Sequence, residues 1–409
     1  MKDILFENEV ALVLIVKNES RYIKEWLEYH YRIGVDKFYI YNNDSDDRSE
    51  LLKILEPWID AGVVDFEDAS GKYRQMPVYN DAIERHRFDC RYMGFIDTDE
   101  FIYIKTGQTL PEFLHDHFGI SDDIAGLSMN WRMFGTSGLE KYEPIDVIER
   151  FTRRAPDNYY ENLHIKTIAN PRRIFYMPFP HNAQYMIYSE CCDENLFFVR
   201  NPANERNPSD KIQVNHYYTK SVEEYSQKYS RGRADCPLDR NEMQAFKQEL
   251  NIVEDIGLRN LWCQLKSQPL PQPIDHSSRK ILENINTMLK PFMESDIPIQ
   301  NFQGQVTTLM TCFFTIERCD LISPTNKSRL RNMVLEFLTK SISTRTTVID
   351  LTLLLAILPQ ILCTEFPATK EFLSTFKMYL PRLILEYQNE LESVAGFHAR
   401  HVQALLELI

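Results

Sequence analysis

Phe95-Ile96-Asp97-Thr98-Asp99-Glu100-Phe101-Ile102 sets an acidic Asp-x-Asp between two apolar flanks. The flanks mark the end of a buried strand, and the acids are what that strand delivers to the surface. Read as extended chain, side chains at i and i+2 point the same way, so Asp97 and Asp99 present two carboxylates to one side. Such a pair suits a hard divalent cation. Mg²⁺ or Mn²⁺ held by one or two carboxylates keeps positions open for water and substrate phosphates, as an enzyme handling a nucleotide diphosphate requires. The competing reading, acids that merely end a strand in a solvated turn, has to be decided from the surroundings, because short acidic motifs recur without function.

Upstream, Val10 to Val16 is a continuous apolar run, the pattern of a strand covered on both faces. It ends at Lys17-Asn18-Glu19-Ser20, after which Tyr22, Ile23, Trp26, Leu27, Tyr29, His30 and Ile33 recur at helical spacing up to a stop at Gly34. A second strand is expected over Lys37 to Tyr41, breaking into the turn-forming and acidic cluster Asn42 to Asp47. A helix over Ser49 to Ile59, a strand over Val63 to Phe66, a helix over Met76 to His86 and a strand over Tyr92 to Ile96 complete the pattern. This alternation predicts an α/β domain with a parallel sheet and helices on both faces. Ligands of such sheets bind beyond the carboxyl ends of the strands, where Lys17-Asn18-Glu19, the Asn42 to Asp47 loop and Asp97-Thr98-Asp99 all fall. No Gly-x-Gly-x-x-Gly or Gly-x-x-x-x-Gly-Lys-[Ser/Thr] motif stands near the first strand. That argues against a dinucleotide oxidoreductase and a P-loop enzyme, and leaves a bound diphosphate to a metal.

Several ordered pieces then add specificity. They are Lys17 to His30, Gly34-Val35, Tyr39 to Asn43, Gln75 with Tyr79-Asn80-Asp81, Phe95 to Phe101, and Trp131-x-x-Phe134-Gly135-x-x-Gly138. Lys166 with Pro171, His181, and Asn215-His216-Tyr217-Tyr218-x-Lys220-Ser221-x-Glu223-Glu224 follow in order. Over roughly Val10 to Arg233 the chain resembles glycosyltransferase family 92 and its relatives in family 2. The resemblance implies a GT-A fold, that is, a Rossmann-like nucleotide-diphospho-sugar transferase domain. It also implies a nucleotide-sugar donor and a divalent metal, Mn²⁺ (or Mg²⁺). One departure is Asn42, which stands where these families usually carry an acid at the end of the second strand; its amide still hydrogen-bonds but brings no charge.

Sugar transfer from a nucleotide diphosphate requires the leaving diphosphate to be neutralised. The resemblance implies catalytic roles for Asp97, Asp99 and Glu100, with Asp99 as the direct metal ligand, Asp97 reaching the metal through water or holding the ribose, and Glu100 orienting. His216 is the second ligand candidate, since imidazole suits Mn²⁺. Donor contacts are expected from Lys17, Asn18, Glu19, Asn42, Asp44, Arg74, Gln75, Asn80, Asp81 and His181, although Asp44 also reads as a turn residue and His181 as part of a Pro-shaped loop. Trp131, Phe134 and Gly135 are the acceptor-side candidates, through an aromatic face and a close backbone approach, with core burial the alternative for Trp131. The inversion that the resemblance implies requires a carboxylate base, and the residues do not single one out among Glu100, Glu140, Glu161 and Asp193.

Lys+Arg 46 against Asp+Glu 59 leaves a net charge of -13, which argues against nucleic acid as a partner. Among the eight cysteines only Cys191-Cys192 are adjacent and no Cys-x-x-Cys pair occurs, so reduced thiols are expected. The chain enters its first strand without a signal segment, and Val348 to Ile361 is too short to span a bilayer. A cytoplasmic enzyme of bacterial type is expected, with peripheral contact to a lipid-linked acceptor left open. The three prolines of Gln268 to Pro273 suggest a linker over 267–279 between a catalytic domain, 1–266, and a C-terminal helical module, 280–409, that supports the domain or mediates homo-oligomerisation. The partners are then a nucleotide sugar and a glycan or glycolipid acceptor. A metal-dependent hydrolase shares the acidic site without needing the first two loops, and a non-catalytic sugar-binding or scaffold protein keeps the fold alone.

Overall fold

A computed structural model describes residues 8–230 and 247–271, apart from positions 88, 122, 187 and 188. The helical module expected at 280–409 lies outside the described residues. The first half alternates as expected: β1 (Asn8–Val16), α1 (Ser20–Arg32), β2 (Lys37–Asn42), α2 (Arg48–Asp60), β3 (Val64–Asp68), α3 (Gln75–His86) and β4 (Cys90–Phe95). β5 (Glu100–Ile104), α4 (Leu110–Phe118), β6 (Ile124–Met133), α5 (Val147–Arg150), β7 (Arg153–Arg154), β8 (Ile165–Ala169), β9 (Ile174–Tyr176), β10 (Gln184–Tyr185) and β11 (Glu190–Cys192) follow. β12 (Ile212–His216), α6 (Val222–Ser230), β13 (Val253–Glu254) and α7 (Gly257–Lys266) complete the described chain.

The main sheet runs β3-β2-β1-β4-β8-β6-β12-β5, with β11 beside β6. β3, β2, β1 and β4 are mutually parallel, while β8 and β5 enter antiparallel. The apolar run of β1 divides by alternation. Val10, Leu12, Leu14 and Val16 pack beneath α1, α2, α4 and α7, whereas Ala11, Val13 and Ile15 pack against α3 on the other face. This is why the strand carries no polar side: both faces are core. Gly34, the helix stop, adopts φ +105 in the left-handed region, and a Cβ there would stand 2.5 Å from Pro111 Cδ. Among the described residues no helix is long and apolar enough to cross a membrane.

The buried face of α1 also places β5. Trp26 Nε1 donates to the carbonyls of Asp97 (3.0 Å) and Glu100 (2.9 Å), and the Tyr29 hydroxyl donates to the Ile102 carbonyl. His30 Nε2 accepts from the Ile102 amide at 3.3 Å, while its Nδ1 donates to Trp26 O at 2.8 Å. Those two bonds define a neutral tautomer, and complete burial lowers the His30 pKa to about 3.

Candidate active site

The carboxyl ends of the parallel strands are stitched into one rim. Asn18, at φ 57, donates its backbone amide to Ser45 Oγ (3.0 Å), and its side chain bonds Asp46. Asp47 accepts from Ser20 N at 2.9 Å, placing a carboxylate at the N-terminus of α1 where the helix dipole favours it. Asn43 Nδ2 reaches Ala69 O and Gly71 O beyond β3, and Asp44 accepts from Gly71 N at 2.9 Å. Gln75, opening α3, then donates to Asp97 Oδ1 at 3.0 Å. The three predicted loops therefore join in a single edge, as the strand pattern implied.

The acidic motif itself differs from its expected form. Asp97 to Glu100 close a tight turn, with Glu100 N donating to Asp97 O at 3.0 Å, so the extended i, i+2 geometry does not hold and the two aspartates have separate partners. Asp97 Oδ2 pairs with Lys166 Nζ at 2.9 Å, and the same ammonium lies 3.1 Å from Glu100 Oε2. Burial opposes the charge on Lys166, yet Asp97 and Glu100 more than reverse this and raise its pKa. Glu100 is fully buried and also accepts from Asp97 N at 2.8 Å; burial nonetheless pushes its carboxyl up to about 8. Asp99 faces Lys228 of α6 and, at 3.6 Å, His216 Nε2. Its burial alone would raise its pKa, but Lys228 and then His216 hold it well below the usual carboxylate range.

His216 reaches this turn because β12 pairs antiparallel with β5 and sets it opposite Glu100. Its Nδ1 is buried without a hydrogen-bond partner, as is Glu100 Oε1, and these two atoms lie 4.0 Å apart. Burial lowers the His216 pKa, against the pull of Asp99. Trp131, on β6, lies against His216 with ring centroids 4.3 Å apart, and against His164 and His181 at 5.2 and 5.1 Å. His181 Nδ1 donates to Ile165 O at 3.0 Å, and burial with neighbouring Lys166 lowers its pKa to about 3.

Other predicted residues are used by the protein itself. Asn42 is buried and donates to Asp68 (2.7 Å), and Asn80 bonds Met76 O and both backbone groups of Met177. Asp81 pairs with Tyr41 and Arg85, and Glu19 is buried with its carbonyl capping the first turn of α1. Lys17 and Arg74 sit partly buried on the rim loops. On the acceptor side only Trp131 stays partly open. Phe134 is fully buried against Tyr217, with ring centroids 4.6 Å apart, and the close approach at Gly135 is to the chain itself: an added Cβ would meet Asn251 Oδ1 at 2.5 Å and Leu250 O at 2.6 Å. Among the base candidates, Asp193 is consumed by Asn195 N, Phe197 N and Asn204. Sequence reading missed Lys228 and His164. Neither falls in a local pattern that reads as a site; only their packing reveals them.

Among the described residues no group of three or more His, Cys, Asp or Glu side chains is placed to hold a metal ion. Asp99 Oδ2 and His216 Nε2 lie 3.6 Å apart, and these two residues would be the ones to hold Mg²⁺ or Mn²⁺, with phosphate and water as the remaining ligands. Glu100 Oε1 stands behind His216 Nδ1 at 4.0 Å, beyond hydrogen-bond distance. The two donors are of the type these cations take, and Lys228 stands on the same Asp99 oxygen.

A parallel Rossmann-like half-sheet, extended by mixed strands and carrying an acidic turn at its carboxyl edge, defines a GT-A fold. The profile of glycosyltransferase family 92 matches residues 13–234, and the chain belongs to that family. It is 26% identical over 159 residues to a family 92 protein of Ricinus communis, covering 36% of this chain and 26% of that protein. It is 28% identical over 178 residues to one of Oryza sativa, covering 40% and 27%. It is 34% identical over 107 residues to a galactan β-1,4-galactosyltransferase of Arabidopsis thaliana, covering 24% and 21%. The chain thus spans roughly a quarter of the length of these plant relatives. The crystal structure of Staphylococcus aureus TarS 1–349 aligns over 90% of this chain and 89% of that one, at 13% identity and a TM-score of 0.28.

Proposed function

We propose that this chain is a metal-dependent glycosyltransferase that moves a hexose-type sugar from a nucleotide diphosphate to a hydroxyl of a glycan or glycolipid, with inversion. The observation that carries this reading is the Asp97–Glu100 turn, held at the carboxyl edge of the parallel sheet and faced across β12 by His216. Family membership and the galactosyltransferase relative support the reaction class.

Asp99 and His216 would hold the cation, and its positive charge would offset the charge on the leaving diphosphate. Glu100, too deep to meet substrate, accepts from the Asp97 amide and so steadies the turn. Lys166, with Gln75, fixes the carboxylate of Asp97, the most open acid of the turn at 34% side-chain exposure. Trp131, walled by His164, His181 and His216, gives an aromatic surface suited to sugar C–H groups. The site sits in a cytoplasmic setting in this reading.

The test is calorimetric titration of the purified protein with nucleotide diphosphates and nucleotide sugars, with Mn²⁺ and with chelator. Binding of one nucleotide family that disappears with chelator is the expected result. Binding of none, together with phosphate release from simple phosphomonoesters, would replace the transferase by a hydrolase.

A further inference from the structure

One feature of the site is unused by this mechanism. Lys228, near the end of α6, sets its ammonium on Asp99 Oδ2, the oxygen that His216 Nε2 also faces, at 3.6 Å. Nζ also donates to Tyr218 O at 3.0 Å and lies 4.0 Å from the centroid of the Tyr218 ring. Both charged side chains are about nine-tenths buried, 10% exposed for Lys228 and 8% for Asp99. A divalent ion held by Asp99 and His216 would need the space and the lone pair that the ammonium takes. A monovalent and a divalent cation cannot share one buried oxygen at ligand distance without strong repulsion.

The helix that carries Lys228 is pinned elsewhere. Glu224 accepts two bonds from Arg150, at 2.8 and 2.9 Å, and one from the Tyr22 hydroxyl at 3.0 Å. Metal entry is therefore answered by the lysine side chain and not by movement of α6, and the Tyr218 carbonyl and ring already offer the ammonium a second resting place.

We propose that Lys228 is a built-in counter-ion that occupies Asp99 in the metal-free protein and is displaced from it when a divalent cation binds. This rests on the metal reading above. It makes metal affinity the outcome of a competition set within the chain. Displacement would also leave one more unneutralised positive charge in the site, so metal and diphosphate binding are expected to favour each other.

The test is Mn²⁺ binding, followed by the loss of the free-ion paramagnetic signal, to the full chain without nucleotide. Lys228→Met and Lys228→Gln should both bind Mn²⁺ about tenfold more tightly than the unaltered protein, and Lys228→Arg should stay near it. The metal-free Met variant should melt lower, with the difference recovered at saturating Mn²⁺. Equal or weaker Mn²⁺ binding by the Met and Gln variants overturns the competition while leaving the metal site standing. Absence of Mn²⁺ binding from every form overturns the metal site itself.

Discussion

Lys166 is the residue on which the geometry of the acidic turn depends, and its removal can be worked through in numbers. At the 2.9 Å separating Nζ from Asp97 Oδ2, two unit charges attract by about 6 kcal/mol at an effective dielectric constant of about 20. Desolvation of the buried ammonium takes back much of this, and Asp97 is 34% exposed and so partly screened. A net coupling of about 2 kcal/mol remains. Lys166→Met keeps the stem volume and removes the charge, so cavity formation adds little. Glu100 loses its cation in the same step, which brings the total cost of the single variant to about 3 kcal/mol. For a domain of this size that is a fall in Tm of roughly 6–12 °C. The assay is thermal and urea unfolding of Lys166→Met, Asp97→Asn and the double variant, combined as a double-mutant cycle. Nucleotide binding should weaken by similar factors in the two single variants, and the double variant should be no worse than either. A coupling energy below about 0.5 kcal/mol, with additive losses in nucleotide binding, would refute the claim that Lys166 acts through Asp97.

Asp99→Asn, which keeps shape and removes charge, should abolish chelator-sensitive nucleotide binding measured calorimetrically, and His216→Ala should weaken it; full binding and full metal response in the asparagine variant would displace the metal site. His30 stays neutral in the fold with a pKa near 3, below its ordinary 6.5, so the unfolded chain binds the extra proton and stability falls as pH drops from about 6.5 to 3. His30→Gln should flatten that acid limb by up to about 1.4 kcal/mol per pH unit, read from denaturant unfolding across the window. A chain ending after Gln268 should fold and keep nucleotide binding, because α7 packs Leu258 and Trp262 into the core and Arg32 bonds Leu265 O and Gln268 O. One ending after Asp255 loses Trp262 and should be destabilised by at least 3 kcal/mol or so.

Reading the sequence located the parallel half of the sheet, since a strand buried on both faces must be apolar throughout and Val10 to Val16 is. The buried face of α1 was equally legible, because Tyr22, Ile23, Trp26, Leu27, Tyr29 and His30 recur at the helical period. The order of strands by itself puts three polar loops at one edge. What periodicity does not carry is the direction of a side chain in a turn, or the partner of a charge far along the chain. The turn at Asp97–Glu100 sends its acids to different cations, Lys166 at 69 residues' separation and Lys228 at 129. Phe134 and Gly135 share a motif with Trp131 yet are consumed by Tyr217 and by the Leu250–Asn251 turn. Local sequence determined which segments become strands and helices and which loops reach the carboxyl edge of the sheet. Tertiary packing alone decided which of the polar groups there remain open to a ligand, because each buried charge must find its counter-charge wherever the fold brings one within reach.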